Sequence, residues 1–164
     1  MTHIDFGMAG FDAPLGADAA KREFLTCQLG DEIYGLDILR VQEIRELDHV
    51  TRVPHVPAYV RGVINLRGSI VPIVDLGLMF GFPAREDLEK ASTIVLNSDG
   101  RLVGLVVASV SDVIGLTDEE ILPAPELGAR AIAEAVSGIG SVAGGSILLL
   151  DVDRLLKRIR EDRE

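Results

Sequence analysis

The sequence predicts an all-β protein made of two related small barrels packed together, with one amphipathic helix at the C-terminal end. Three observations carry this reading. Short aliphatic segments alternate with Gly, Asp and Ser turn signals along most of the chain. The chain repeats its own pattern at two closely similar offsets. Helical periodicity is convincing only at Val152, Leu155, Leu156 and Ile159, which fall at i, i+3, i+4 and i+7.

Residues 1–21 hold Gly7, Gly10, Gly16 and Pro14 among scattered acids without any apolar period, and read as a flexible tail ahead of a folded unit at 22–164. Strands are then expected at Phe24–Leu29, Val60–Leu66, Ile70–Val74, Thr93–Leu96, Arg101–Val110 and Ser146–Leu150, each β-branched or aliphatic. A shift of 69 pairs Gly35 with Gly104, Leu36 with Leu105, Val41 with Val110 and Glu43 with Asp112. A shift of 76 pairs Gly62 with Gly138, Gly68 with Gly144 and Asp75 with Asp151, together with the apolar residues Val71 and Ile73 against Ile147 and Leu149. Glycine and aspartate coincide for conformational reasons, so the echo predicts two lobes at about 22–91 and 92–164, with exchange of strands between them left open. Five short strands per lobe close most economically into a barrel, which removes exposed edges. Gly35 should then superpose on Gly104, and Asp75 on Asp151.

Composition narrows the function. Of 164 residues, 16 are Lys or Arg and 26 are Asp or Glu, a formal charge of −10 that argues against a broad phosphate-binding surface. Nucleic acid is therefore not an expected partner. One cysteine, Cys27, permits no internal disulfide and fits a reducing compartment. The uncharged run Ala135–Leu150 carries four Gly and three Ser and is shorter than the ~20 apolar residues of a membrane span, and the N-terminal stretch has no signal-peptide pattern. The expectation is a soluble, cytoplasmic protein with no direct membrane insertion.

Catalytic and metal chemistry find little support in the sequence. His3, His49 and His55 match no ligand spacing with one another or with Cys27, and Cys27 reads as a small buried hydrophobe inside a strand. Gly138-Ile-Gly140 lacks the rest of a dinucleotide turn, no phosphate-binding loop occurs, and no serine sits in a nucleophile elbow. Asp75 and Asp151 each end a strand ahead of a helical segment, where a side-chain oxygen accepts an orphan helix amide. Thr117-Asp-Glu-Glu120 fits a capping box. No enzyme and no cofactor are expected.

One asymmetry remains. Residues 40–67 contain Arg40, Arg45, Arg52, Arg61 and Arg67 against Glu43, Glu46 and Asp48, a local +2 that leaves −12 for the rest of the chain. Such a strip is either a solvated face or a docking site for an acidic protein segment, to which arginine offers planar hydrogen-bond forks.

The same region carries a resemblance. Val41-Gln-Glu-Ile-Arg45, Val50-Thr-Arg-Val-Pro54, the long block Tyr59–Leu76, Val110-Ser-Asp-Val113 and Ile121-Leu-Pro-Ala-Pro-Glu126 together resemble the CheW family of bacterial chemotaxis over about residues 22–156. The resemblance implies two SH3-like five-stranded barrels and a non-enzymatic adaptor that joins chemoreceptor cytoplasmic tips to the regulatory domain of the histidine kinase CheA. It also implies association with membrane-bound receptor arrays through protein contacts. Carried over by motif, Val41, Glu43, Gly62 and Arg67 fall at receptor-coupling positions, and Ile121, Leu122 and Leu127 in a kinase-facing segment, with Leu122 standing where relatives can carry Arg. Gly62 and Gly68 can act by contact or by backbone geometry, and Glu43 either meets the partner or positions a neighbouring arginine. An adaptor of a non-flagellar array, serving pili, gliding or development, is the alternative within the family. A small-ligand-binding double barrel is the alternative outside it and would need a convergent polar cluster. Arg67 lies in a Leu66-Arg67-Gly68 turn signal, so it should be exposed and its loss should cost no more than about 0.5 kcal/mol.

Overall fold

Two six-stranded sheets account for most of the regular structure among the described residues. The computed structural model describes residues 4–5, 21–47, 49–83, 91–125 and 130–163. Its strands are β1 (Ile4–Asp5), β2 (Arg22–Leu29), β3 (Glu32–Asp37), β4 (Val41–Glu46), β5 (Val60–Leu66), β6 (Ser69–Asp75), β7 (Ser92–Ser98), β8 (Arg101–Val107), β9 (Ser109–Leu116), β10 (Ile121–Pro123), β11 (Val136–Val142) and β12 (Gly145–Leu150). Helices are α1 (Leu76–Met79), α2 (Arg130–Ala135) and α3 (Val152–Arg163), the last being the helix expected from periodicity.

The first sheet runs β1-β4-β7-β8-β6-β5 and the second β10-β11-β12-β3-β2-β9. Without the short strands β1 and β10, the two orders are the same under the sequence echo, β4 matching β9, β7 matching β2, β8 matching β3, β6 matching β12 and β5 matching β11. Register agrees to the residue. Parallel pairing sets Ile73 opposite Gly104 and Val74 opposite Leu105 in one sheet, and Leu149 opposite Gly35 and Leu150 opposite Leu36 in the other. Bulges are duplicated too, at Val60/Gly62 and Val136/Gly138, and at Val41/Glu43 opposite the Leu25/Cys27 shift. Each Asp after the parallel strand also repeats its role. Asp75 N–H donates to the Tyr59 carbonyl at 2.7 Å and Asp151 N–H to the Ala135 carbonyl at 2.8 Å, while both side chains accept the amide three residues on.

The sheets do not follow the expected division near residue 91. The β7–β8 hairpin, from the second half of the sequence, pairs with β4 and β6 of the first, and the β2–β3 hairpin pairs with β9 and β12 of the second. Each sheet thus borrows one hairpin from the other repeat.

Strand alternation then divides the core in three. Val71, Ile73, Val95 and Val106 fill the first sheet's interior, and Phe24, Leu116, Ile147 and Leu149 the second's. The neighbouring positions point the other way, so Leu25, Cys27, Leu36, Val74, Ile94, Leu96, Leu105 and Leu150 join Leu155 and Ile159 of α3 in one large cluster drawn from both sheets. Gly35 and Gly104 exist for close packing, since a Cβ would lie 3.0 Å from Leu149 Cδ2 and 2.7 Å from Ile73 Cδ1 respectively.

Candidate functional site

The β5–β6 hairpin ends in a two-residue turn, Arg67 at φ 50° and Gly68 at φ 90°, a left-handed pair that matches the twist of the flanking strands. This turn carries the Arg67 side chain back over the first sheet. There Nη2 donates to Glu43 Oε1 at 2.7 Å. The two ends of the pair differ sharply in environment, Arg67 being 62% exposed and Glu43 only 2%. The bulge in β4 between Val41 and Glu43 sets the carboxylate in this position. A buried carboxylate thereby orients a guanidinium that remains largely open to solvent.

Val41, expected as an apolar groove contact, is instead 4% exposed and part of the inter-sheet core, because the bulge turns it inward. Gly62 sits at φ 143°, and a Cβ there would lie 2.2 Å from the Thr51 carbonyl oxygen. That approach is held by the reciprocal amide bonds of Thr51 and Val63, both 2.8 Å. Gly62 therefore has a backbone reason to be glycine. Gly68 has open space where a side chain would be, so only its φ is demanding.

At the opposite end of the β5–β6 hairpin, Arg61 Nη2 donates to Asp75 Oδ2 at 3.3 Å, and the same carboxylate caps α1 through Leu78 N–H. The helix α3 is gripped at both ends. Arg40 makes a bidentate pair with Asp153 at 3.0 and 2.8 Å, and Ser98 Oγ donates to the same Asp at 2.7 Å. At the other end Tyr59 donates to Asp162, Arg158 bonds Asp162 at 3.0 Å, and Arg158 also bonds Glu134. The Ser98 hydrogen bond holds Asp153 below the usual carboxylate range, with Arg40 adding to it, and the Tyr59 hydrogen bond does the same for Asp162. Burial pushes the Cys27 thiol up to about 12.

On the second sheet Leu122 is 49% exposed in edge strand β10, opposite Ile139, while half-buried Ile121 packs against the inner cluster. Leu127 lies outside the described residues. The two candidate groups are thus separate, Glu43, Gly62 and Arg67 on the first sheet and Ile121 and Leu122 on the edge of the second. Sequence reasoning does not identify the α3 clamp, whose partners lie 103 and 113 residues apart. Among the described residues no three His, Cys, Asp or Glu side chains are grouped to hold a metal, and no helix is long and apolar enough to cross a membrane.

A family profile for the CheW-like domain matches residues 23–160. The chain belongs to the CheW-like family. Its relatives include the chemotaxis protein CheW of Klebsiella aerogenes, 45% identical over 142 residues that cover 87% of this chain and 86% of that one. The chemotaxis protein CheW of Rhizobium meliloti is 36% identical over 143 residues, 87% and 91% of the two chains. Among solved structures, the scaffolding protein TtCheW of Thermoanaerobacter tengcongensis superposes with a TM-score of 0.73 at 30% identity, covering 80% of this chain and 90% of its own. The family match and the superposition agree with the two-lobed β fold described above.

Proposed function

We propose that this CheW-like chain is a non-enzymatic adaptor that couples a chemoreceptor cytoplasmic tip to the regulatory domain of the histidine kinase CheA. The observation that supports it best is the Arg67–Glu43 pair, an exposed guanidinium oriented by a buried carboxylate on a locally basic strip of an acidic protein. A receptor tip is a helical surface with acids and carbonyls, which the exposed edge of such a guanidinium can meet with little further loss of rotamer freedom. Val41, being buried, and Gly62, being pressed on Thr51, support this surface from beneath rather than touching the partner. The kinase is met by the exposed Leu122 edge, with Ile121 anchoring it.

The experiment is a pair of binding titrations, with a purified receptor signalling domain and with the CheA regulatory domain, on the parent, Arg67→Lys and Leu122→Glu. Arg67→Lys should weaken receptor binding roughly tenfold, about 1.4 kcal/mol, and leave kinase binding unchanged; Leu122→Glu should do the reverse. Equal losses toward both partners in either variant would defeat the two-surface reading. The 45% identity to a protein named for chemotaxis, against 31% to the protein FrzA of Myxococcus xanthus, favours the chemotaxis array over another one.

A further inference from the structure

We propose that the receptor-facing surface continues from Arg67 into an open groove between the β7–β8 turn and α3, where Ile70 receives an apolar side chain of the receptor helix and Arg101 and Arg160 meet its flanking carboxylates. This deepens the receptor reading of Arg67 and rests on it. The groove has a volume of about 760 Å³. Ser69 and Ile70 open β6 directly after the Arg67–Gly68 turn, and the parallel register that sets Ile73 opposite Gly104 brings Ile70 level with Arg101. Ile70 points to the same side of the sheet as Val74 of the inter-sheet core, yet it is 64% exposed, with Leu156 and Ile159 of α3 across the groove.

The duplication supplies an internal control. In the second sheet the corresponding turn is Gly30–Asp31, and there the chain fills the space itself, Phe82 packing so closely on Gly30 that a Cβ would lie 2.9 Å from its ring. The counterpart of Phe82 is Arg158, which turns to Asp162 and Glu134 instead, so among the described residues no ring covers the Asp99–Gly100 turn. The flanking pair differs as well, Ile70 and Arg101 standing where the second sheet has Ser146 and Glu32.

Charge defines the occupant. Arg101 and Arg160 are exposed at the groove, and neither guanidinium has a hydrogen bond or ion pair among the described residues. Of the two carboxylates on the lining, Asp153 is already held by Arg40 and Ser98, which leaves Asp99 against two arginines. An apolar socket flanked by such arginines fits a large apolar side chain with acids beside it, as an amphipathic helix presents at i and i+3 or i+4. The clamp at Asp153 and Asp162 fixes the α3 wall before binding, so little ordering is left for the partner to impose.

The test titrates the receptor signalling domain and the CheA regulatory domain against the full-length parent, Ile70→Ser, the double variant Arg101→Glu with Arg160→Glu, and Lys157→Glu, a charge reversal on α3 outside the groove. Ile70→Ser and the double variant should each weaken receptor binding about tenfold or more, with Tm and kinase affinity unchanged, and Lys157→Glu should lose less than about threefold. Parent-like receptor affinity in both groove variants, beside a loss in Arg67→Lys, overturns the groove and leaves the receptor reading standing. If Arg67→Lys also binds the receptor domain like the parent, the receptor reading fails and the groove with it. A loss toward the kinase instead, or a loss in Lys157→Glu as large as in the double variant, overturns the assignment of this groove to the receptor helix.

Discussion

Arg67→Ala separates a residue that only decorates a turn from one that the fold uses. As an exposed arginine it would cost no more than about 0.5 kcal/mol. The structure raises that figure, because its Nη2 stands 2.7 Å from a carboxylate that is 2% exposed. A charge-assisted hydrogen bond contributes roughly 1.5–3 kcal/mol, and breaking a fully buried pair costs about 3–5. The 62% exposure of Arg67 lets water screen its side of the pair, which pulls the value down toward that of surface ion pairs. The result is about 1–2 kcal/mol, or a fall in Tm of roughly 2–8 °C for a chain of this size. The assay is a double-mutant cycle by chemical denaturation on the parent, Arg67→Ala, Glu43→Gln and the double variant. A coupling near 1 kcal/mol or above is expected, with Arg67→Ala costing less in the Glu43→Gln background, where the charge has already been removed. Coupling under about 0.3 kcal/mol, with the single variant melting within a degree of the parent, would refute the argument that the buried carboxylate makes this pair strong.

Gly62→Ala should destabilise by roughly 3 kcal/mol or more, since its Cβ would sit 2.2 Å from the Thr51 carbonyl at a left-handed φ; a melting temperature near the parent's would show that the segment yields. Acid should loosen α3 first. Asp153 and Asp162 have folded values depressed by their hydrogen bonds, so what they contribute is fully present above the ordinary Asp value of about 4 and is lost as pH falls through the depressed values. Hydrogen exchange followed from pH 5 to 2 should show α3 amides losing protection, corrected for intrinsic rate, before those of β7 and β8; simultaneous loss would contradict this. Cys27, buried and with its thiol pushed up to about 12, should resist thiol reagents at pH 8 until denaturant is added, and rapid labelling of the native protein would contradict its placement.

Much of the fold is legible in the sequence because the residues that repeat are those with few substitutes. Gly35 and Gly104 admit a facing side chain, and Asp75 and Asp151 cap the following helix, so both pairs survive as sequence coincidences. Which sheet a hairpin joins is not legible. The near-continuous apolar runs in Phe24-Leu-Thr-Cys and Thr93-Ile-Val-Leu say that both faces are buried, and nothing in them names the strand on either side. At the site, the sequence points to both Arg67 and Glu43, but not to the burial that gives their pairing its strength. Val41 is misplaced for a physical reason: in a regular strand it and Glu43 would share a face, and the bulge between them breaks that period.

The strand exchange has a consequence for how two surfaces can be kept in relation. In two independent barrels joined by a linker, a partner on one could shift without effect on the other. Here the first sheet is completed by β7–β8 and the second by β2–β3, so neither can separate without losing its own central strands. The two candidate surfaces are also variations on one backbone plan. The Thr51–Val63 bridge corresponds to the Leu122–Ile139 pairing, and the glycine beneath each, Gly62 or Gly138, would place a Cβ 2.2 or 2.9 Å from the overlying carbonyl. On that shared frame the side chains have diverged. The counterpart of Arg67 is Ala143, the counterpart of buried Glu43 is exposed Asp112, and polar Thr51 corresponds to apolar Leu122. One sheet thus presents a fixed charge at its hairpin turn, where the other has only Ala143, and the second sheet presents an apolar edge at Leu122, where the first has polar Thr51, so the two proposed docking surfaces differ in chemistry and in position on one shared frame.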